Sequence, residues 1–311
     1  MTQTRSTCPY CGVGCGVIIE SDGGRITGVR GDPEHPANHG RLCTKGSTLH
    51  LTADPAVAAA TRLLYPMRRA VRGQPPQRID WETALDEAAT RFGDIVDRHG
   101  PDAVGFYISG QLLTEDYYVF NKLAKGLIGT NNIDTNSRLC MSSAVAAYKL
   151  TLGADAPPNC YEDIDHAEVI FIAGANTAYA HPILFRRIED AKRANPHLKL
   201  IVADPRRTET AEVADLHLPL QPGTDVALFH AMLHVLIWEG LIDPAFIAAH
   251  TDGFEALKKR VAEFTPGAVA TLCGLPAEAI VQAARWFGQS RATLSLYCQG
   301  QIGRASCRER V

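Results

Sequence analysis

The amino-acid sequence predicts an α/β protein in which a small cysteine-rich module precedes doubly wound αβα domains. Beyond residue 150, short segments that are apolar at nearly every position alternate with helical segments, which is typical of a parallel sheet covered on both faces. The first 54 residues are instead rich in Cys, Gly and His. At 311 residues, with 46% hydrophobic and 21% charged residues, the chain can form two domains with buried cores and is unlike a disordered protein.

Turn and capping signals divide the first 140 residues. Two strand-like runs and a Pro- and Arg-rich linker are predicted over residues 17–20, 25–30 and 66–77. Asp80 is the predicted N-cap of a helix with apolar residues at helical spacing, and Gly100 followed by Pro101 ends it. A buried strand over 103–109 and a helix capped by Thr114 are predicted next.

Three continuous apolar strands are predicted in the second half of the chain, over residues 168–173, 198–203 and 216–220. Helices from Pro182 and from Asp225, with a further helix between them, separate these strands. We therefore expect a cysteine module, the first part of an αβα domain, a Rossmann-like αβα domain and a strand that returns to the first αβα domain, over residues 1–54, 55–140, 141–290 and 291–301.

The last ten residues differ in composition from the rest of the chain. Residues 302–311 read IGRASCRERV, with three arginines directly after a strand-like run and with no turn between them. We interpret this segment as translated sequencing-adapter sequence, the alternative being an ordinary basic tail. On that interpretation, the natural protein continues beyond residue 301.

The charge balance is close to neutral, with 31 Lys and Arg against 34 Asp and Glu. Such a balance gives no basic surface for nucleic acid or for anionic lipid. The longest apolar stretch, residues 226–238, is too short to span a bilayer, and the N-terminus carries no export signal. We therefore expect a cytoplasmic protein that binds neither nucleic acid nor a membrane.

Four cysteines are grouped near the N-terminus. Cys8, Cys11 and Cys15 form the pattern C-x2-C-x3-C, and Cys43 follows after a further 27 residues. Three clustered thiolates with a distant fourth are typical of a 4Fe–4S cluster, whereas two C-x2-C pairs are typical of a zinc ribbon. The spacing favours the iron–sulfur cluster and leaves structural zinc as the alternative.

Three segments resemble one family of enzymes. CPYCGVGCGV, GDPEHPANHGRLCTKG and NSRLCMSSAV occur in that order and closely resemble the molybdenum bis(molybdopterin guanine dinucleotide) oxidoreductases, most nearly the assimilatory nitrate reductases of bacteria. The resemblance runs from residue 7 to about residue 300. It implies the αβα domains expected above and a C-terminal β-barrel domain, which this sequence lacks.

The resemblance also implies roles for three residues. Cys140 stands where the family has its molybdenum ligand, at a loop-to-helix junction where a thiolate gains from the helix dipole. Taken alone, such a cysteine is more often a small packing residue. Met141 follows it as in nitrate reductases, whereas similar formate dehydrogenases have His there. Lys45 matches a lysine that lies between the cluster and the pterin.

Several loops match the positions that hold the dinucleotide in this family. Each predicted strand of the second half is followed by a loop with residues suited to guanine, ribose or phosphate. The candidate residues of these loops are Gly174, Asn176, Asp204, Arg206, Thr208, Gly223 and Asp225. Gln111, after the first buried strand, and His181 also match family positions.

The activity implied by the resemblance is molybdenum-dependent reduction of nitrate to nitrite, with electrons passing from the 4Fe–4S cluster to the molybdenum cofactor. The electron donor would be an NADH-dependent reductase subunit, ferredoxin or flavodoxin. One alternative is formate dehydrogenase or another enzyme with this cofactor, against which Met141 counts. The other is an iron–sulfur electron-relay subunit without molybdenum, against which Cys140 counts. We expect the fragment alone to be inactive, because much of the cofactor-binding surface is missing.

Overall fold

The computed structural model describes residues 1–110, 112, 114–136, 141–156 and 158–298. These residues form two compact units. One, the discontinuous unit, consists of Met1–His50 together with the described residues from Ser143 onwards. The other, the continuous unit, is Leu51–Ser142. The cysteine-rich module is therefore part of the same unit as the second half of the chain.

The strands are, in chain order, β1 (Thr2–Thr7), β2 (Gly16–Asp22), β3 (Arg25–Gly31), β4 (Met67–Arg68), β5 (Gln77–Arg78), β6 (Phe106–Ile108), β7 (Ile133–Thr135), β8 (Val169–Ala173), β9 (Lys199–Ala203), β10 (Leu216–Leu218) and β11 (Thr293–Tyr297). The α-helices are α1 (Thr44–Ser47), α2 (Pro55–Thr61), α3 (Trp81–His99), α4 (Thr114–Asn121), α5 (Ser142–Leu152), α6 (Asp163–His166), α7 (Thr177–Ala180), α8 (Pro182–Ala194), α9 (Glu209–Glu212), α10 (Asp225–Trp238), α11 (Pro244–His250), α12 (Phe254–Val261), α13 (Pro266–Cys273) and α14 (Ala277–Gln289).

The N-terminal residues form an antiparallel sheet in the order β1-β2-β3. β2 and β3 lie where strand-like runs were predicted, whereas β1 was not predicted. All six residues of β1 are exposed, so this strand has no alternation of apolar and polar residues to reveal it. It is defined by its pairing with β2, from Thr2 opposite Ser21 to Thr7 opposite Gly16.

The second half of the chain forms a parallel sheet in the order β10-β9-β8-β11, with helices on both faces. All five residues of β8 are buried, because its side chains alternate between two cores. Val169, Phe171 and Ala173 pack in the core that contains α10, α13 and α14. Ile170 and Ile172 pack in the core that contains α8. The doubly wound αβα architecture is thus confirmed.

The prediction for the returning strand is wrong in its described part. β11 pairs in parallel with β8, from Thr293 opposite Val169 to Tyr297 opposite Ala173, within the discontinuous unit. β11 is thus the edge strand of the sheet β10-β9-β8-β11. The reason is local: α14 ends at Gln289, which brings the chain back beside β8, where Leu294 completes the core over α8.

The continuous unit contains the predicted helix α3. The Asp80 side chain caps it by accepting a hydrogen bond from the Thr83 N–H at 2.7 Å, and Gly100, with φ +82°, ends it. The strand predicted over 103–109 is shorter, since β6 covers three residues, and none of them is buried. β6 pairs in parallel with β7, and the predicted linker carries the short ribbon of β4 and β5.

Among the described helices, none is by itself long and apolar enough to cross a membrane. The pair α13 and α14 reaches that length and apolarity only when taken together, and it is bent by 115°.

Candidate functional site

The four cysteines of the N-terminal motif lie together. Cys8 and Cys15 are buried, at 9% and 6% exposed, while Cys11 and Cys43 are half-buried. All four belong to one apolar cluster, in which Val13 is 2% exposed. The cysteines of the sequence motif are therefore grouped in space, and Cys8 and Cys15 are largely shielded from solvent.

Backbone hydrogen bonds shape the loop from Cys8 to Cys15. The Cys8 N–H donates to the Cys15 carbonyl at 2.8 Å, which joins the two ends of the loop. Inside it, the Gly14 N–H donates to the Cys11 carbonyl at 3.3 Å. Gly14 has φ +67°, in the left-handed region that favours glycine. The loop is thus a tight turn, and its three cysteines belong to the same apolar cluster.

Asn38, which is 2% exposed, supports the end of this loop. Its Oδ1 accepts from the Gly16 N–H at 2.8 Å, and its Nδ2 donates to the carbonyls of Gly16 at 3.1 Å and Arg41 at 2.8 Å. A Cβ atom on Gly16 would lie 2.3 Å from Cγ of His35, so only glycine fits here. Asn38 therefore ties the first cysteine loop to the segment that leads to Cys43.

The electrostatics of the cysteines fit a bound metal group. Burial, followed by the neighbouring thiols of Cys11, Cys8 and Cys43, raises the pKa of Cys15 to about 11. A thiolate at this position needs nearby positive charge, and metal coordination supplies it by deprotonating the thiol outright. A donor set of four sulfurs suits zinc or an iron–sulfur cluster.

Four grouped thiols provide the donor set of an iron–sulfur cube. The thiols lie close enough for their charges to interact. A 4Fe–4S cube binds each of its four thiolates through a different iron. Three cysteines from one tight turn together with Cys43 fit such a cube, and the spacing along the sequence favours it over zinc.

Lys45 and His181 lie near each other beside this loop. Lys45 is an exposed residue of α1, the helix that begins directly after Cys43. Burial and then the positive charge of Lys45 lower the pKa of His181. A Cβ atom on Gly12 would lie 3.6 Å from Nε2 of His181, which places the imidazole against the cysteine loop.

The predicted dinucleotide loops lie at one edge of the parallel sheet. Gly174 follows β8, Asp204 follows β9, and Gly223 lies between β10 and α10. Because these three strands are parallel neighbours, their carboxyl ends meet at the same edge, where open α/β sheets bind ligands. Gly174, with φ +59°, donates its N–H to the Ala203 carbonyl at 3.0 Å and so joins the first two loops.

Asn176 links the same two loops through its side chain. Its Nδ2 donates to Oε2 of Glu209 at 2.8 Å, and its Oδ1 accepts from the Thr210 hydroxyl at 2.9 Å. The Thr210 hydroxyl in turn accepts from the Ala178 N–H at 2.9 Å. Sequence reasoning missed Glu209 and Thr210, because their partners lie more than thirty residues earlier in the chain.

The second loop combines fixed carboxylate and hydroxyl groups with an exposed cation. Asp204, 8% exposed, accepts a hydrogen bond from the Arg206 N–H at 2.9 Å. Thr208 is buried and caps α9 by accepting from the Ala211 N–H. The Arg206 side chain is exposed, so its guanidinium can reach a phosphate or carboxylate. These groups fit a nucleotide with a polar base and phosphates.

The third loop opens the long helix α10. Gly223 has φ +85°, and the hydroxyl of buried Thr224 donates to the Gln221 carbonyl at 2.7 Å. Asp225 is the first residue of α10 and is 4% exposed. The N-terminus of a long helix at this sheet edge is suited to phosphate or ribose groups.

Three predicted residues lie outside the described part of the discontinuous unit. Cys140 and Gln111 lie outside the described residues. Met141 is 36% exposed and belongs to the continuous unit. Within the discontinuous unit, the structure places Lys45 and His181 beside the cysteine loop, and Gly174, Asn176, Asp204, Arg206, Thr208, Gly223 and Asp225 at one sheet edge.

Two further residues of the cysteine site were missed from the sequence. Asn38 lies in a polar turn, and its burial gives no local signal. Tyr161 donates from its hydroxyl to the carbonyls of Gly12 at 3.0 Å and Val13 at 3.3 Å. Tyr161 is distant in sequence from the loop that it contacts, so only the fold brings them together.

Comparison with known families matches nearly all of the chain. Residues 1–54 match the molybdopterin oxidoreductase Fe4S4 domain, and residues 62–291 match molybdopterin oxidoreductase. Nitrate reductase from Synechocystis sp. is 45% identical, and periplasmic nitrate reductase from Desulfovibrio desulfuricans is 44% identical. The alignments cover 96% and 95% of this chain, but only 42% and 40% of those relatives.

Relatives with other activities match at lower identity. The F420-dependent formate dehydrogenase 1 subunit alpha of Methanococcus maripaludis is 40% identical, over 94% of this chain and 42% of that protein. Among solved structures, acetylene hydratase from Pelobacter acetylenicus is similar, with a TM-score of 0.80 at 28% identity. That match covers 96% of this chain and 40% of the hydratase.

The chain thus spans less than half the length of these relatives, and its matches account for both the cysteine site and the αβα domains. The chain belongs to the molybdopterin oxidoreductase family, with a 4Fe–4S cluster and molybdenum bis(molybdopterin guanine dinucleotide) as its cofactors.

Proposed function

We propose that the complete protein is the catalytic subunit of an assimilatory, cytoplasmic nitrate reductase. The observation that carries this proposal is the higher identity to nitrate reductases than to formate dehydrogenases over the same part of the chain. Met141, beside the proposed molybdenum ligand Cys140, supports the same choice. When bound, the two cofactors supply one-electron transfer at the cluster and oxygen-atom transfer at molybdenum.

The residues of this chain have distinct tasks in that reaction. Cys8, Cys11, Cys15 and Cys43 would hold the cluster, in a site where Cys8 and Cys15 are shielded from water. The sheet-edge loops would hold the guanine dinucleotide, Asp204 by accepting hydrogen bonds from the base and Arg206 by binding phosphate. Lys45 lies in the helix that begins directly after Cys43, and by the family resemblance it would supply a positive charge between the cluster and the pterin.

Two activity measurements on the full-length enzyme test the proposal. Purified anaerobically, it should produce nitrite from nitrate with a reduced viologen as electron source. It should not reduce oxidised viologen with formate. Formate oxidation without nitrite production would assign the enzyme to the formate dehydrogenase class. Iron without molybdenum in a full-length preparation from a molybdenum-replete host would instead indicate an electron-relay subunit.

The electron donor and the cellular location of the enzyme are tested by separate experiments. We propose that the electrons come from an NADH-dependent reductase subunit, ferredoxin or flavodoxin, because such donors supply the cytoplasm. Nitrite production with each donor in place of viologen identifies the physiological one. Cell fractionation tests the location, and activity recovered in the periplasmic fraction would contradict the assimilatory assignment.

A further inference from the structure

Tyr161 makes a contact with the cysteine loop that the proposed chemistry does not use. Its hydroxyl group has one hydrogen and faces two acceptors, the carbonyl oxygens of Gly12 at 3.0 Å and Val13 at 3.3 Å. The ring packs in the same apolar cluster as Cys8 and Cys15. Both acceptors lie between Cys11 and Cys15, so the phenol is bonded to the segment that joins two cluster ligands.

This shared hydrogen bond restrains the direction of the two peptide groups that carry these carbonyls. A peptide group is planar, so a carbonyl held on one side determines where the N–H of the next residue points. For the peptide between Val13 and Gly14, both ends are held, because the Gly14 N–H donates to the Cys11 carbonyl at 3.3 Å. For the peptide between Gly12 and Val13, Tyr161 holds the carbonyl end.

The phenol also lies within the electric field of the cluster ligands. Burial, and then the nearby thiols of Cys11 and Cys15, raise the pKa of Tyr161. The hydrogen of its O–H group points to the loop, so this dipole presents its positive end to the ligand segment. Hydrogen bonds and dipoles around the ligands are among the factors that set the reduction potential of an iron–sulfur cluster.

We propose that Tyr161 is a positioning residue that raises the reduction potential of the 4Fe–4S cluster by holding the Gly12 and Val13 carbonyls with its hydroxyl group. Reduction adds negative charge to the cluster, and a positive dipole end beside the ligand loop favours the reduced state. The inference rests on the iron–sulfur cofactor and is independent of which substrate the molybdenum site reduces.

The test compares Tyr161→Phe with a matched control in the full-length holoenzyme. Phe keeps the ring in the apolar cluster and removes only the hydroxyl. Tyr148→Phe is the control, because Tyr148 is also bonded through its phenol, to the Tyr297 hydroxyl at 2.5 Å, in the same unit. The midpoint potential of the cluster is measured by redox titration followed by electron paramagnetic resonance, with iron and sulfide content determined for each variant.

Tyr161→Phe should retain its iron and shift the midpoint potential to a more negative value, while Tyr148→Phe stays at the wild-type potential. We expect the equilibrium constant for cluster reduction to fall about threefold to tenfold, where tenfold corresponds to 59 mV for one electron. A potential unchanged from wild type in a variant with full iron content would overturn the proposal.

A second variant keeps the test decisive if Tyr161→Phe loses the cluster. Replacing Tyr161 with 3,5-difluorotyrosine preserves the ring and makes the hydroxyl a stronger hydrogen-bond donor, and the titration is run in mild acid, where this more acidic phenol keeps its proton. The potential should then rise above the wild-type value, opposite in sign to the effect of Phe. A fall or no change in this variant would show that the hydroxyl does not act on the cluster as proposed.

Discussion

Gly31 and Gly40 approach so closely that a Cβ atom on Gly31 would lie 2.0 Å from the carbonyl oxygen of Gly40. The obstacle is backbone rather than a flexible side chain, so it cannot move aside. Gly31 ends β3, and Gly40 lies in the turn that leads to Cys43. This contact therefore sets the path of the chain between the first sheet and the fourth cysteine.

Substitution Gly31→Ala should disrupt the cysteine site. The added methyl group forces the turn away from β3. The free energy of unfolding should fall by at least the ~1–3 kcal/mol that is typical of an overpacked core. We expect reduced iron content after anaerobic purification of the full-length enzyme. Gly93→Ala is the control, because Gly93 lies within α3 and a Cβ atom there meets nothing within 4 Å. Equal iron content in the two variants would contradict the argument.

Asn38→Ala should weaken the cluster without changing its ligands. The substitution leaves the Gly16 N–H and the carbonyls of Gly16 and Arg41 without their side-chain partner. Unsatisfied buried groups cost about 1–3 kcal/mol each, so the cluster absorbance should bleach at a lower temperature than in wild type. Gln74→Ala removes an exposed amide and should leave the bleaching temperature unchanged.

Cys43→Ser should lower the iron content of the enzyme. Oxygen is a harder ligand than sulfur and binds iron in such a cluster less well, so one corner of the cube becomes weakly held. Cys160→Ser is the control, since Cys160 is exposed and outside the cysteine cluster. Iron analysis and the visible absorption band of the cluster distinguish the two variants. Zinc in stoichiometric amount in the wild type would contradict the cluster itself.

Cys140→Ser should separate the two metal sites. If Cys140 is the molybdenum ligand proposed from the family resemblance, the variant loses nitrate reduction, because a hard oxygen replaces a soft thiolate at molybdenum. The iron content should remain that of the wild type, since the four cluster ligands are untouched. Nitrite production at the wild-type rate would show that Cys140 is a packing residue.

His230 should make the discontinuous unit sensitive to mild acid. Among the described residues its buried Nδ1 has no hydrogen-bond partner, and burial followed by the charge of Arg260 lowers the pKa of the imidazole. In the unfolded chain the histidine has a pKa of about 6.5, above its value in the folded unit. As the pH falls through this value, the unfolded chain therefore binds more protons than the folded chain, and the free energy of unfolding falls. The ring lies edge-on to Phe264, with centroids 4.6 Å apart.

Replacement His230→Phe should reduce the loss of melting temperature between pH 7.5 and 5.5. Phenylalanine fills the same space against Phe264 and has no proton to gain. His250→Phe, at an exposed position, should keep the pH dependence of the wild type. Thermal unfolding of the full-length enzyme at both pH values measures the difference, and identical pH dependence in both variants would remove His230 as its source.

Elements with strong local patterns could be predicted from the sequence. β8, β9 and β10 are apolar at nearly every position. α3 has a capping aspartate and a terminal glycine, so its end signals agree with its apolar periodicity. The cysteine spacing likewise predicted a group that the fold assembles. These features depend on residues close together in the chain.

Features that depend on distant pairing could not be predicted. The position of β11 beside β8 is set by hydrogen bonds between segments more than a hundred residues apart. β1 has no apolar face, and Tyr161 contacts a loop formed by a different part of the chain. In each case the local sequence is compatible with several neighbours, and only packing selects one.

The discontinuous unit also dictates an order of events during synthesis. The cysteine cluster is packed against Tyr161 and Ile183, which are made long after Cys43. At roughly 5–20 residues per second, the ribosome needs about 6–24 s to travel from Cys43 to Tyr161. Throughout this interval the nascent chain contains all four cysteines, but the residues that enclose them have not yet been translated. The nascent thiols are then open to oxidation or to the wrong metal, so cluster delivery after Tyr161 and Ile183 have emerged gives the more reliable product.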